Sequence, residues 1–378
     1  MKENKKNILF IIHDISNAGI ERVCLNISRG VNKEKYGLFV FLYQPKGQNT
    51  FDINLPENVI YFKRDIQKVR NKIWRAMCLF FQIVMSIKKS NADLVVSFIP
   101  FVNSIVFIIC AFMRCKHIAT QHNLLSRDIT LLKGKAILYN SLLWKFVYKR
   151  LQYLVVVSNS IKEDLVSNFG VKENKVKVIY NGIDLGQIKQ STKNKPNITI
   201  AKYIIYVGRI EYQKSVGTLI QAFSIVRKQA NDLNLIIMGE GSLLGEIKKM
   251  AKNIGCMQTI HFIGFQSNPY IYMKNALCLV LPSLFEGFGC VITEAMACGT
   301  PVIATNIEGP KEIITHGHNG LLFTPKNYEE LATEIEEVIN NKDLRKTLIS
   351  NGLMTVKKYT NMHEQYDELF DSIIKNKI

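Results

Sequence analysis

Residues 282–305, PSLFEGFGCVITEAMACGTPVIAT, place two glutamates, Glu286 and Glu294, on either side of a Gly-Phe-Gly turn. An apolar run at 276–281 precedes the segment, and Gly299-Thr300-Pro301 followed by VIAT closes it. The pattern predicts strand, glycine loop, short helix, tight turn and strand. Such a loop leaves backbone N–H groups exposed at a helix N-terminus, where the partial positive charge favours phosphate. A carboxylate there repels phosphate, but it accepts hydrogen bonds from paired hydroxyls such as those of a ribose or a hexose. Glu286 falls in the loop and Glu294 about one turn into the helix. Phosphate donors and hydroxyl acceptors in one element point to a nucleotide-sugar site.

Other residues could serve the same chemistry. Arg209 and Lys214 flank a loop that opens with Gly208 after the apolar run 203–207. A diphosphate gains negative charge as it leaves, and two fixed cations stabilise it without a metal. As charges on a surface loop they would be unremarkable; their place just after a strand favours function. Ala18-Gly19-Ile20 follows the first strand and opens the first helix, where open α/β sheets bind ligands. Gly19 lets a backbone approach a phosphate or sugar closely. The nicotinamide fingerprint G-x-G-x-x-G is absent from this loop. His122, in ATQHNLLS, lies just past a strand, and on its own a lone histidine reads more often as structural than as catalytic. His13, His117, His261, His316, His318 and His363 show no metal spacing, and no Asp-x-Asp pair occurs to hold a divalent ion against a diphosphate.

These residues, taken in order, resemble glycosyltransferase family 4, the retaining transferases of the GT-B fold. The resemblance rests on Gly208-Arg209 followed by Lys214, the glutamate pair, Glu308-Gly309-Pro310-Lys311-Glu312-Ile313 and Asn319-Gly320. It extends to Ala18-Gly19-Ile20-Glu21-Arg22, His122 and Asn181-Gly182-Ile183-Asp184, spanning most of the chain and strongest over 203–323. It implies that Arg209 and Lys214 contact the donor diphosphate and that Glu294 holds the ribose hydroxyls. It also implies that Glu286 contacts the transferred sugar, and that Gly287, Phe288 and Gly289 present backbone to sugar and phosphate. His122 would hydrogen-bond near the donor sugar in the transition state. Where the family has two adjacent glycines this chain has Ala18-Gly19. Asn181-Gly182-Ile183-Asp184 is turn chemistry and is read as part of an interdomain hinge.

The elements that must position these groups are legible as apolar runs. Strand candidates are 8–12, 38–43, 59–62, 94–99, 117–120, 153–157 and 176–179, then 203–207, 235–238, 260–263, 277–281, 302–304 and 321–323, with helical patterns between them. That alternation predicts α/β architecture with parallel sheets covered by helices on both faces. Two series in one chain predict GT-B: two Rossmann-like doubly wound domains facing across a cleft. Expected bounds are 1–185 for an acceptor-binding domain, 186–358 for a nucleotide-sugar-binding domain, and 359–378 for a C-terminal helix crossing back to the first. The polar stretch 187–197 is the expected boundary loop.

A length of 378 residues suits two domains, and 47% apolar residues support two cores. Eight cysteines without a C-x-x-C pair read as reduced core residues, which fits the cytoplasm. The apolar run after MKENKKN is too short for a signal peptide and reads as a buried strand. Residues 94–113 carry no charge and could span a bilayer. Pro100 and Asn103 favour instead a buried strand, a turn at Pro100 and a buried helix over 102–113.

The net charge of +18 is concentrated in residues 1–185, with 28 Lys+Arg against 13 Asp+Glu. Lys63, Arg64, Lys68, Arg70, Lys72 and Arg75 precede the apolar MCLFFQIVMSI and Lys88-Lys89. Basic residues beside an apolar helix read as a peripheral contact with anionic lipid, or as a surface helix whose apolar face is core. The charge favours the former, at the inner face of the membrane.

The expected function is retaining transfer of a hexosyl or N-acetylhexosaminyl unit from a nucleotide-sugar, a UDP-sugar, to a lipid-linked saccharide such as a polyprenyl-diphosphate-linked acceptor, in surface-polysaccharide assembly. No cofactor or metal is expected. A GT-B nucleotide-sugar epimerase is the alternative. A polyanion binder comes last, because motifs and aromatic-basic platforms for nucleic acid are missing.

Overall fold

A computed structural model of the chain describes residues 5–12, 19–43, 58–61, 71–130, 135–193 and 200–375. It divides into two compact units, Met1–Gly182 with Asn361–Ile378, and Ile183–Thr360.

The first unit runs β1 (Lys6–Ile12), α1 (Gly19–Gly30), β2 (Tyr36–Leu42), β3 (Asn58–Tyr61), α2 (Lys72–Ser90), β4 (Leu94–Ser97), α3 (Pro100–Met113), β5 (Lys116–Gln121), α4 (Leu125–Thr130), α5 (Lys135–Arg150), β6 (Tyr153–Val156), α6 (Asn159–Phe169) and β7 (Val176–Val178). The second runs α7 (Leu185–Ser191), β8 (Tyr203–Val207), α8 (Val216–Val226), β9 (Asn234–Met238), α9 (Leu244–Asn253), β10 (Ile260–Gly264), α10 (Tyr270–Asn275), β11 (Leu279–Leu281), α11 (Cys290–Ala297), β12 (Val302–Thr305), α12 (Pro310–Ile313), β13 (Leu321–Phe323), α13 (Tyr328–Asn340) and α14 (Lys342–Thr355). The last helix, α15 (Met362–Lys375), belongs to the first unit and packs on α1.

All strand pairs within the two sheets are parallel. Strand order is β3-β2-β1-β4-β5-β6-β7 in one sheet and β10-β9-β8-β11-β12-β13 in the other. Strands covered on both faces must be apolar on both, which is why they stand out as runs. Ile8, Leu9, Phe10, Ile11 and Ile12 of β1 are all buried. Each order reverses beside its first strand, between β1 and β4 and between β8 and β11. Such switch points open a crevice at the carboxyl ends of the strands, where ligands bind. The expected α/β, GT-B type of fold, with strands at each anticipated position, is what the chain adopts.

α15 completes the first unit's core. Met362, Tyr366, Leu369, Phe370 and Ile373 recur at helical spacing, are buried, and join one cluster with β1, β2 and α1. Lys116 Nζ donates to the Ile373 and Ile374 carbonyls (2.8 and 3.0 Å), satisfying acceptors that the end of a helix leaves open.

Three expectations change in detail. Pro100 is no turn: it occupies the first position of α3, where its missing N–H costs nothing and its φ suits a helix. α3 is also not buried all round. Val102, Val106 and Ile109 face the sheet, while Phe101, Ile108 and Phe112 are exposed, because only the inner side is covered. The polar stretch 187–197 begins as helix, since Asp184 caps α7 by accepting from Gln187 N (2.8 Å) and Ile188 is buried. Residues 194–199 lie outside the described ones, and the units part at Gly182 and Ile183.

Of the basic cluster, Lys63, Arg64, Lys68 and Arg70, and the side chain of Lys72, lie outside the described residues. Among the described residues no helix is long and apolar enough to cross a membrane. None of the eight cysteines is joined in a disulfide.

Candidate functional site

In the second unit the two loops that leave the switch point are fastened to each other and to their neighbours. The loop after β8 begins with Gly208, whose N–H bonds Met238 O (3.0 Å), and continues with Ile210 N to Glu240 O (2.8 Å). The backbones touch so closely that a Cβ on Gly239 would lie 1.9 Å from Gly208 O. Only glycine permits that approach, and Gly239 has φ +140°. Tyr206, fully buried at the end of β8, donates from its hydroxyl to Arg209 O (2.6 Å). Burial, and then the Glu286 carboxylate, push its pKa well above the usual tyrosine value, so the donor stays protonated. Arg209 itself is exposed.

The loop after β11 lies against this one. Leu284 N donates to Gln213 O (2.8 Å), and Gln213 Nε2 returns a bond to Phe285 O (2.9 Å). Beside this clasp Lys214 Nζ pairs with the Glu286 carboxylate. Glu286 is only 7% exposed, and a carboxylate that buried requires partners. Ser283 Oγ supplies another hydrogen bond (2.7 Å), and Thr305 Oγ1 of β12 holds the Ser283 carbonyl (2.6 Å). Gly287, Phe288 and Gly289 lead directly into α11, whose cap is Gly289 at φ +90°. The Phe288 ring is buried edge-on to Tyr359 (5.3 Å between centroids), so the segment has only backbone to offer a ligand. Gly309 presses on the outside of this turn: a Cβ there would meet Glu286 O at 2.8 Å and Gly287 C at 3.1 Å. Glu294 sits in α11, one turn past the glycines, and is buried.

The sequence alone now has two matches to family models: "Glycosyltransferase Family 4" over residues 17–187 and "Glycosyl transferases group 1" over 188–354. An uncharacterized glycosyltransferase of Methanocaldococcus jannaschii is 33% identical over 264 residues, covering 68% of this chain and 69% of its own length. The chain belongs to the family 4 glycosyltransferases.

A second relative of this transferase is the N-acetylgalactosamine-N,N'-diacetylbacillosaminyl-diphospho-undecaprenol 4-alpha-N-acetylgalactosaminyltransferase of Campylobacter jejuni. It is 30% identical over 237 residues, 61% of this chain and 64% of its own length. Another M. jannaschii relative, also uncharacterized, is 34% identical, with 58% of its length matched, so the chain spans roughly three fifths of these two relatives. Among solved structures, HepE from Anabaena in complex with UDP and glucose superposes with TM-score 0.84 at 21% identity, covering 97% of this chain and all of that one. Sucrose-phosphate synthase from Thermosynechococcus elongatus gives 0.80 at 18% identity, covering 98% and 99%. At such identities the likeness is one of fold.

The remaining expected residues of the transferase, Gly19 and His122, lie in the first unit. Gly19 is the exposed first residue of α1; Ala18 lies outside the described residues. His122 follows β5, stacks on Phe98 (5.8 Å, 21°), and its Nε2 is 3.0 Å from Thr120 Oγ1. Burial lowers its pKa to about 4, which leaves the imidazole neutral near pH 7 and able both to donate and to accept. Within the second unit Gly208, Lys214, Glu286, Gly287, Phe288 and Gly289 lie on the switch-point loops, and Glu294 lies in α11, which follows the second of them. Sequence reasoning missed Ser283, Gln213, Tyr206 and Thr305. Gln213 adjoins Lys214, and Ser283 and Thr305 lie within the segment 282–305, but nothing in their type or spacing sets them apart. Tyr206 had one signal, a polar tip, which it shares with Tyr203 on the same apolar strand.

Proposed function

We propose that the second unit binds a nucleotide-sugar, a UDP-sugar, and that the enzyme transfers its hexosyl or N-acetylhexosaminyl unit with retention to a lipid-linked saccharide in surface-polysaccharide assembly. The observation that carries this reading is the clasped pair of switch-point loops, with Lys214 against the buried Glu286 beside the glycine-capped start of α11. Cation and helix N-terminus suit a diphosphate; the two carboxylates suit the hydroxyls of sugar and ribose.

In the proposed step the bond from the anomeric carbon to the diphosphate breaks, and the acceptor oxygen bonds that carbon on the same face. The acceptor proton passes to the leaving phosphate oxygen. Lys214 and Arg209 stabilise the charge gathering on the diphosphate, so no metal is invoked. Glu286 orients the sugar, Glu294 the ribose, and neutral His122 hydrogen-bonds in the transition state. The first unit takes the acceptor. The choice of UDP follows the ligand of the Anabaena protein, and the polyprenyl-diphosphate acceptor follows the name of the Campylobacter relative. A capsular polysaccharide biosynthesis glycosyltransferase of Staphylococcus aureus, 27% identical over 239 residues, supports the surface-polysaccharide setting. The same acceptor, and the basic first unit, support work at an anionic membrane face in the cytoplasm.

The test is a screen of nucleotide-sugars for nucleotide release with a polyprenyl-diphosphate saccharide present, in buffer with and without EDTA. Release that requires the acceptor, an anomeric configuration unchanged by NMR, and indifference to EDTA are expected. Conversion of a UDP-sugar into its epimer with no UDP released would replace the transferase reading. Loss of activity with EDTA, restored by manganese or magnesium, would remove the metal-free step.

A further inference from the structure

Among the described residues of the first unit, one side turns large apolar side chains outward. α2 carries two apolar faces. Leu79, Ile83 and Ile87 point into the core shared with β1, β2 and α3. Trp74, Phe81 and Met85 lie on the opposite side and are 59%, 61% and 55% exposed. α3 repeats the arrangement, with Val102 and Val106 inward and Phe101 and Phe112 outward, the latter 82% exposed. α5 buries Trp144, Val147 and Tyr148 and exposes Phe146.

These helices are neighbours. α2 packs on α3 and α3 on α5, and Asn103 Nδ2 of α3 bonds the Tyr148 hydroxyl of α5 (2.9 Å). Their inner sides are fixed to one layer, so their outer sides form a continuous surface. Monomeric soluble proteins rarely leave contiguous apolar areas of that kind, and they mark contact sites.

The charge on these helices selects the occupant. None of the three contains an aspartate or a glutamate. Exposed Lys88 and Lys89 end α2, exposed Arg114 follows α3, and exposed Lys145, Lys149 and Arg150 lie on α5. The Arg150 guanidinium lies 3.7 Å from the centre of the Phe146 ring, a cation resting on an aromatic. A partner must therefore be anionic over a wide area and apolar just beneath. The headgroup and acyl boundary of an anionic bilayer has that layering, and large aromatics with flanking cations are the side chains that settle there.

We propose that the outer faces of α2, α3 and α5 together form an interfacial plane that seats this chain on an anionic bilayer. This rests on the membrane-face reading above and names its surface: three helices, with the apolar side chains inserting and the cations at the rim.

The full-length protein is tested by flotation with vesicles of phosphatidylcholine alone and of phosphatidylcholine mixed with phosphatidylglycerol. It should float with the mixed vesicles only, and Trp74 emission should shift to the blue and be quenched by brominated lipid. Trp74→Phe should still float but lose the quenching. Phe81→Ser, Phe112→Ser and Phe146→Ser combined should weaken vesicle binding at least roughly tenfold, since each removes a large apolar insertion. Because the three positions are exposed, the unfolding midpoint and the release of nucleotide from a soluble donor should stay unchanged. Lys88→Gln, Lys89→Gln and Lys149→Gln combined should weaken binding at low salt and little at high salt. A wild type that floats with neither vesicle overturns both the seat and the membrane reading. A triple serine variant that floats as well as wild type overturns the seat alone. A vesicle-free dimer that the triple variant converts to monomer, with no vesicle binding by either, would make the face a contact between copies.

Discussion

Lys214 Nζ and the Glu286 carboxylate, carried on loops from adjacent strands, neutralise each other where Ser283 Oγ also bonds the carboxylate. The lysine side chain is 16% exposed and the glutamate 8%. A diphosphate arriving beside Lys214 would compete with Glu286 for the cation, and sugar hydroxyls would then replace it at the carboxylate. The pair ties the two loops together beside the proposed donor site.

Removing either partner alone strands the other. Lys214→Ala or Glu286→Ala should destabilise the second unit by roughly 3–5 kcal/mol, as breaking a buried pair does. Lys214→Ala with Glu286→Ala together should cost clearly less than the sum. Denaturant unfolding of the four proteins checks this; strict additivity would mean that the two side chains are not coupled. All three variants should lose turnover, the lysine variant more in kcat than in KM.

Glu294 is buried in α11 and assigned to the ribose. Glu294→Gln keeps the size and loses the charge, so the fold should survive while UDP affinity falls about 10-fold to 100-fold, the equivalent of roughly 1.5–3 kcal/mol for a hydrogen bond to a charged group. Calorimetric titration with UDP measures it, and equal affinity in the two proteins would move the ribose elsewhere.

Gly309 touches no ligand in the proposed scheme, yet its φ is +85° and the turn at Glu286 and Gly287 lies against it. Gly309→Ala should displace that turn and lower kcat and donor affinity together. The neighbouring Pro310→Ala, which leaves the contact atom unchanged, should do much less. Steady-state kinetics on both distinguishes a shape requirement from general damage to α12.

Asp128 and His122 impose opposite pH dependences on the first unit. Burial raises the Asp128 pKa to about 7, with Asp164 adding to the effect and Gln121 Nε2, at 3.3 Å, opposing it. Between the ordinary carboxylate value near 4 and pH 7 the folded chain holds more protons than the unfolded one, so this contribution to stability is lost as pH rises through that window. His122, with a pKa lowered to about 4 by burial, acts in reverse: the unfolded chain binds more protons between about 4 and 6.5, and stability is lost as pH falls. Asp128→Asn should therefore raise the unfolding midpoint at pH 8 relative to wild type, by about 2–4 °C for each kcal/mol recovered, and raise it distinctly less at pH 5. Calorimetry at the two pH values is the measurement; an equal shift at both would detach the effect from the carboxyl proton.

Much of this architecture was written locally. The strands of both sheets were legible because a parallel strand covered on both sides has to be apolar along its length, as 8–12 and 203–207 are. Glu286, Glu294 and the intervening glycines were legible for a related reason: a turn that presents backbone at a helix start leaves few residue types to choose from. α15 was legible as a helix by its spacing. What tertiary structure decided was whatever depends on pairing distant segments. Gln213 clasps 284 and 285, and Lys214 reaches the Glu286 carboxylate, only because β8 and β11 become neighbours across the switch point. The units part at Gly182 and Ile183, and Asp184 caps a helix leading into a stretch whose composition suggests a loop. The apolar residues of α2 and α3 carry no mark of which side will be covered. The sheet lies against one side of each helix, and the other side keeps its aromatics in contact with solvent.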